Sequence, residues 1–259
     1  MTTTSFVKYS GNGNDFIIMS DQVKLSTETI IRLCHRHFGI GADGLITLGS
    51  SNKADARMKI YNADGGEAEM CGNGLRCLAT YFDSISSPKK DYYLIETMNS
   101  VYPVIRKGKS FGLEMTEIKD KNLYDLSSFK DYTNSFYINI GVPHLVFLTE
   151  DTKSLDLKKL GAYYRHHSMF PKGTNVTFVE VMDTDSKKAY ARTYERGVEN
   201  ETHSCGTGLT ATAMALAHWL NWSGDIQLLT KGGQQVVSVG DKIFYAGEVT
   251  ECFKGEIEL

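Results

Sequence analysis

Met70-Cys71-Gly72-Asn73-Gly74 and Ser204-Cys205-Gly206-Thr207-Gly208 carry one Cys-Gly-x-Gly phrase twice, separated by about half of the 259-residue chain. Small helix-forming residues follow each copy: Leu75-Arg76-Cys77-Leu78-Ala79 and Leu209-Thr210-Ala211-Thr212-Ala213. One such phrase is a weak signal, but its repetition in matching surroundings predicts two related halves, each bringing a cysteine to a helix start. The first-turn N–H groups of a helix lack internal partners and carry the positive end of its dipole. Glycine lets a carboxylate approach them closely, and the same field is expected to favour thiolate over thiol. Two such termini around one carboxylate would put a sulfur on each face of its α-carbon. One sulfur would remove a proton and the other return one, with charge on the carboxylate held by donors already in place.

Working outward, short runs rich in aromatic and β-branched residues predict strands at 16–19, 58–61, 92–95, 136–140, 145–148, 176–179 and 189–194. Residues 27–34 and 155–164 read as amphipathic helices. Residues 209–222 are apolar on every face, which predicts a buried central helix wrapped by a sheet. Residues 74–82 play the same part in the first half. The expected class is therefore α/β (α+β), with two similar domains, each a curved mixed sheet around a central helix. The polar stretch 117–134 is the candidate linker. It separates a first half at 1–118, carrying Cys71 and joined by the C-terminal strand at 248–259, from a second at 119–247 carrying Cys205.

Composition narrows the function. Hydrophobic residues make up 41% and charged residues 23%, with a net charge of −3 and no basic stripe, so no nucleic-acid partner is expected. No signal sequence or membrane-length apolar run is present, which predicts a soluble cytoplasmic protein. Five cysteines without disulfide-like spacing suit a reducing compartment, and Cys34, Cys77 and Cys252 read as small core residues. Cys71, Cys77, His203 and Cys205 do not match common zinc spacings, so no metal is expected. The histidine pairs His35/His37 and His166/His167 read as surface. Asp64, Glu67 and Glu69 read as a solvated loop, and Arg76 as a structural ion-pair partner. Glu195-Arg196 offers one group for an ammonium and one for a carboxylate.

The stretch Asn62-Ala63-Asp64-Gly65-Gly66-Glu67-Ala68-Glu69-Met70-Cys71-Gly72-Asn73-Gly74-Leu75-Arg76-Cys77 resembles the first active-site motif of the diaminopimelate epimerase family. Tyr194-Glu195-Arg196-Gly197, with Glu201-Thr202 and Cys205-Gly206-Thr207-Gly208, resembles the second. Gly13-Asn14-Asp15-Phe16, Gly39-Ile40-Gly41-Ala42-Asp43-Gly44, Pro143-His144 and Thr174-Asn175-Val176 fall in the family's order as well, and the similarity covers nearly the whole chain.

The resemblance implies a cofactor-independent isomerase, without pyridoxal phosphate, that interconverts LL- and meso-diaminopimelate for lysine and peptidoglycan precursors. It implies a homodimer acting on a small-molecule amino acid, with its site in a cleft between the two domains. Cys71 and Cys205 would be the acid–base pair, with His144 and Glu195 tuning the thiols. Gly72, Asn73, Gly206 and Thr207 would hold the reacting carboxylate, and Asn14, Asn62, Asn175, Glu195 and Arg196 the other polar groups. On the residues alone, Asn14, Asn62 and Asn175 are equally turn formers, and His144 a structural histidine.

The family usually carries Asn where Val142 stands, and often Gln where Gly44 stands. Both positions point to relaxed recognition of the substrate's distal end. Asn12 replaces a usually apolar residue, and the spacer Val198-Glu199-Asn200 is one residue longer than in many members. The alternatives are a racemase of another amino acid, of glutamate or proline type, a single-cysteine hydrolase or transferase, and an anion-binding module. Proline racemases typically have His where Asn73 stands and lack the Glu195–Gly197 phrase. A single-cysteine enzyme leaves the second phrase unexplained.

Overall fold

The structure, a computed structural model, describes residues 3–108, 110–115 and 134–259. The stretch read as a linker, 117–134, lies outside them except for Asn134. By its contacts the chain divides into two compact units, Met1–Leu113 with Ala246–Leu259, and Glu114–Tyr245.

In the first unit, Val249–Glu258 pairs antiparallel with Thr3–Gly11, which pairs antiparallel with Asn14–Ser20. The turn between those last two strands is Asn12-Gly13, with φ of 53° and 85°, the left-handed pair that a two-residue hairpin demands. Asn14–Ser20 runs parallel to Gly44–Gly49, crossing over through helix α1 (Thr27–Cys34). Gly44–Gly49 is antiparallel to Ala56–Asn62, which is parallel to Tyr92–Glu96, crossing over through helix α2 (Gly72–Ile85). The short Glu67–Ala68 pairs with Ala56–Asn62 just before α2, and Val101–Lys107 and Ser110–Glu114 continue the sheet.

The second unit repeats this order. Ser135–Asn139 is antiparallel to Pro143–Leu148, which runs parallel to Asn175–Asp183 after helix α3 (Leu157–Arg165). Asn175–Asp183 is antiparallel to Lys188–Glu195. That strand pairs with the short Asn200–Thr202 and lies parallel to Gly224–Thr230, after helix α4 (Gly206–Leu220). Gly233–Val239 follows antiparallel. The duplicated cysteine phrase thus marks a duplicated topology, with Cys71 and Cys205 in equivalent places.

The central strands are buried on both faces, which is why they read as nearly continuous apolar runs. In the second unit Val146, Val179, Ala189 and Ala191 pack with Leu209, Ala213 and Leu216 of α4. On the other face Leu145, Phe147, Val176 and Phe178 pack with Leu157 and Tyr164 of α3. Adjacent residues 145 and 146 thus serve opposite cores, as a period of two requires. In the first unit Ile17, Met19 and Leu45 share a core with Ile30, Leu33 and Cys34 of α1. Central helix α4 is buried from Leu209 to Ala213 and again at Ala215 and Leu216, as its all-round apolar sequence predicts.

Several boundaries differ from the sequence expectation. Helix α3 starts at Leu157 because Asp156 caps it, accepting from the Lys159 N–H. Helix α4 starts at Gly206 with Cys205 as its N-cap residue, as the duplicated phrase predicts, but ends at Leu220 rather than Trp222 because Asn221 turns left-handed (φ 53°). The strand expected to reach Ile140 ends at Asn139, ahead of the turn at Gly141 with φ 78°. Cys252 corrects the reading of three core cysteines. It lies exposed on Val249–Glu258, while Cys34 and Cys77 are buried. No helix among the described residues is long and apolar enough to cross a membrane.

Candidate active site

Cys71 is the N-cap residue of α2, with extended backbone (φ −141°, ψ 120°). Cys205 holds the same place on α4 (φ −121°, ψ 104°), and no side chain caps either helix. Each cysteine therefore sits at the end of a helix whose first-turn N–H groups point toward its sulfur's side of the terminus, and at Cys205 the Gly208 N–H acts on the thiol. The glycines that follow pack tightly. A side chain on Gly74 would press on Ile60 and Ile46, and one on Gly206 on the Tyr245 ring.

In the first unit the Cys71 thiol donates to Asn14 Oδ1 at 3.7 Å. Asn73, on the first turn of α2, also donates to Asn14 Oδ1, at 3.4 Å. Its own Oδ1 accepts from Arg76 at 2.6 Å. Arg76 is fully buried and donates also to Asn12 Oδ1 at 3.1 Å, so the Asn12 side chain serves the turn it sits in. Asn14 Nδ2 donates to Asp43 at 2.9 Å, and Arg36 binds both Asp15 and Asp43. Asn62 ends its strand, closes a turn with Gly65 and Gly66 through its backbone, and exposes its side chain. Asp64 holds the Gly66 N–H at 2.9 Å, and it, Glu67 and Glu69 are exposed, as a solvated loop requires. His35, His37 and His166 are exposed and His167 half-buried.

In the second unit Cys205 is buried, with Thr207 Oγ1 3.6 Å from its sulfur. Glu195 ends Lys188–Glu195, and Thr202 lies on the strand beside it. Burial raises the Glu195 pKa, and the Thr202 hydroxyl and Cys205 thiol act against that rise. Burial pushes the Cys205 thiol up to about 12, with the Glu195 charge adding to it, against the Thr207 hydroxyl and the Gly208 N–H. The expectation that the helix terminus favours thiolate is therefore overturned at Cys205. Removal from water outweighs one N–H donor and one hydroxyl.

His144 is fully buried, and neither imidazole nitrogen has a hydrogen-bond partner among the described residues. Burial, assisted by the nearby Arg196 charge, lowers its pKa to about 3. Asn175 sits opposite His144 in the sheet and uses its side chain internally. Its Nδ2 donates to the Pro143 carbonyl at 2.9 Å and its Oδ1 accepts the Arg196 N–H at 2.8 Å. It therefore fixes the chain at both His144 and Arg196, a role the sequence reading did not separate from substrate contact. Arg196 is half-buried and also donates to the Lys172 carbonyl. In the extended spacer, Glu199 (φ 56°) receives Arg165 of α3 at 3.1 Å and the Gly197 N–H at 3.0 Å.

Asp43 and Thr202 escaped the sequence reading as site residues. The signal was present, since both stand inside quoted motifs, but only strand pairing shows which side chains they meet.

The sequence profile of the diaminopimelate epimerase family matches residues 6–108 and 136–251. The chain is 37% identical to a diaminopimelate epimerase of Methanocella arvoryzae, over 100% of this chain and 98% of that one. It is 35% identical to one of Agathobacter rectalis, over 98% and 99%. Among solved structures, a Bacillus anthracis phenazine biosynthesis protein of the PhzF family superposes with a TM-score of 0.74 at 15% identity, covering both chains fully. A hydroxyproline epimerase from Agrobacterium vitis gives 0.63 at 13%, over 98% and 92%. At those identities the two structures share the fold alone. Near-full-length similarity at 35–37% identity, with both cysteine phrases in place, shows that this chain belongs to the diaminopimelate epimerase family.

Proposed function

We propose that this protein interconverts LL- and meso-diaminopimelate by moving the α-proton between two thiols, in lysine and peptidoglycan precursor synthesis. The observation that carries the reading is the pair of cysteine N-caps, one in each topological repeat, on helices that no side chain caps. The substrate itself comes from the family.

The proposed steps balance simply. One sulfur, as thiolate, takes the α-proton and becomes a thiol. The electron pair spreads into the carboxylate, whose oxygens accept from the N–H groups of Gly72, Asn73, Gly206 and Thr207. The opposite thiol then gives its proton to the other face of the carbon and becomes the thiolate. Since burial and Glu195 favour the thiol at Cys205, this sulfur needs an acceptor for its proton before it can act as base. Glu195, whose own pKa is raised, is the group beside it. Neutral His144 and the Arg196 guanidinium complete the polar side of the second unit, with Asn14, Asn62 and Asn175 as substrate contacts or supports. We further propose that the enzyme acts as a cytoplasmic homodimer on this small amino acid, without pyridoxal phosphate.

The test is to incubate one diaminopimelate stereoisomer with reduced protein in deuterated water. The expected result is epimerisation with deuterium at the α-carbon, lost in both Cys71→Ser and Cys205→Ser. Absence of incorporation by folded, reduced protein would sink the proposal.

A further inference from the structure

Four side chains of the first unit form a hydrogen-bonded line whose direction leaves no choice of amide orientation. Arg76 has only donors, so the Asn73 atom that meets it at 2.6 Å must be oxygen. Asn73 therefore turns its NH2 group to Asn14, at 3.4 Å. At the other end, Asp43 is held by Arg36 at 2.7 Å and, as a carboxylate, has only acceptors. The Asn14 atom that meets it at 2.9 Å must then be the NH2 group. Both ends place the same atom, the Asn14 amide oxygen, toward the Cys71 sulfur at 3.7 Å.

We propose that Asp43 is a positioning residue for Cys71: with Arg76 and Asn73 it locks the Asn14 amide so that an acceptor, and not a donor, faces the thiol. An amide oxygen accepts from S–H but has nothing to offer a thiolate, so the lock holds Cys71 in its protonated, proton-donating form. The consequence for catalysis rests on the two-thiol reading above. The lock itself is testable without it. Asn14 remains half-buried, and a ligand reaching it meets an amide whose orientation is already set.

Among the described residues, the other charged or titratable groups around the relay are Lys8 on Thr3–Gly11, Asp15 on Asn14–Ser20, Arg36 after α1 and the buried Cys77 thiol on α2, with Glu67 and Glu69 exposed before Cys71. The test leaves all of them in place. In a full-length Cys205→Ser, Cys252→Ser background, iodoacetamide modification of Cys71 is followed against pH by the mass of its peptide. Cys34 and Cys77 are buried and resolved as separate peptides. Asp43→Asn replaces an acceptor-only partner by one that can also donate and leaves the Asn14 amide held from the Asn73 end alone, so its NH2 can turn to the sulfur more often. The midpoint is expected to move to lower pH, with modification several-fold faster at neutral pH. The exchange Asn14→Asp with Asp43→Asn keeps one carboxylate and one amide in the same space but aims the carboxylate at Cys71. Its midpoint should move to higher pH, because a negative neighbour disfavours thiolate. Opposite shifts support the proposal, and unchanged midpoints in folded protein overturn it. If Asp43→Asn does not fold, the exchange variant carries the test. Because no substrate is used, a failure here is distinct from absence of epimerisation.

Discussion

At the scale of single residues, burial decides the chemistry of the second unit. His144 is neutral because its imidazole is out of water and faces the Arg196 charge. Its folded pKa of about 3 lies below the ordinary 6.5, so between those values the unfolded chain binds a proton that the folded one refuses. Stability is therefore full above pH 6.5 and falls with pH through that window, by at most about 1.4 kcal/mol per unit from this residue. Thermal or urea unfolding between pH 7 and pH 4 should show a steeper loss in the wild type than in His144→Gln; parallel slopes would refute a buried neutral histidine. Glu195 acts on its neighbour. Its charge is the second cause of the raised Cys205 pKa, so Glu195→Gln should move the pH midpoint of Cys205 alkylation downward. If Glu195 is also the acceptor for the Cys205 proton, kcat should fall by roughly 10²-fold or more in the same variant. A midpoint that stays put in folded protein removes Glu195 from the account of this thiol.

At the scale of elements, strand register explains one departure from the family pattern. Gly44 pairs with Phe16 on one side and Asn62 on the other, and a Cβ there would lie 2.6 Å from the Tyr61 carbonyl oxygen. Backbone cannot retreat as the end of a flexible side chain can. Gly44→Ala is therefore expected to cost about 1–3 kcal/mol, read as a lowered Tm, and a larger side chain would add to that loss. The glycine is thus a packing requirement of this chain, and Val142 is the position at which relaxed distal recognition can be tested. If Val142 relaxes specificity, Val142→Asn should raise the ratio of kcat/KM for LL-diaminopimelate over L-glutamate, by roughly tenfold for one regained hydrogen bond. An unchanged ratio would exclude that position from substrate discrimination. Register also shows how the repeats diverge. Ile60 faces Ala68 in one and Thr193 faces Thr202 in the other, each three residues before its cysteine. Two residues beyond Ile60 stands Asn62, and two beyond Thr193 stands Glu195. The duplicated frame holds a neutral amide at one thiol's strand and an ionisable acid at the other's.

At the scale of the whole molecule, the duplication was legible because local signals agreed: a repeated phrase, small residues after it, and strands of similar spacing around both copies. Helix α1 was readable residue for residue, since its Ser26 cap and amphipathic face leave no alternative. The strand Thr3–Gly11 was harder to see, because Lys8 is buried within it against Asp15 and the Gly41 carbonyl, breaking the apolar pattern that marks a core strand. Its partner Val249–Glu258 is mostly exposed and polar, so periodicity alone could not assign it. What assigns it is pairing across nearly the full chain. All nine residues of Thr3–Gly11 have partners on Val249–Glu258, Tyr9 donates to Glu251 at 3.0 Å, and Phe253 packs edge-on against Phe6. A chain ending at Glu248 keeps both cysteines and every proposed substrate contact, yet leaves Thr3–Gly11 with an open edge. Lost hydrogen bonds at ~1 kcal/mol each approach the 5–15 kcal/mol that typically holds a domain. The truncated protein should therefore lose protection from amide hydrogen exchange throughout Thr3–Gly11 and Asn14–Ser20, and with it the placement of Asn14 against Cys71. Cys71 alkylation should lose its folded-state pH profile while the buried α4 stays protected. Retention of both protection and profile without the last strand would show that the first unit is held by its sheet core rather than by closure of the chain ends.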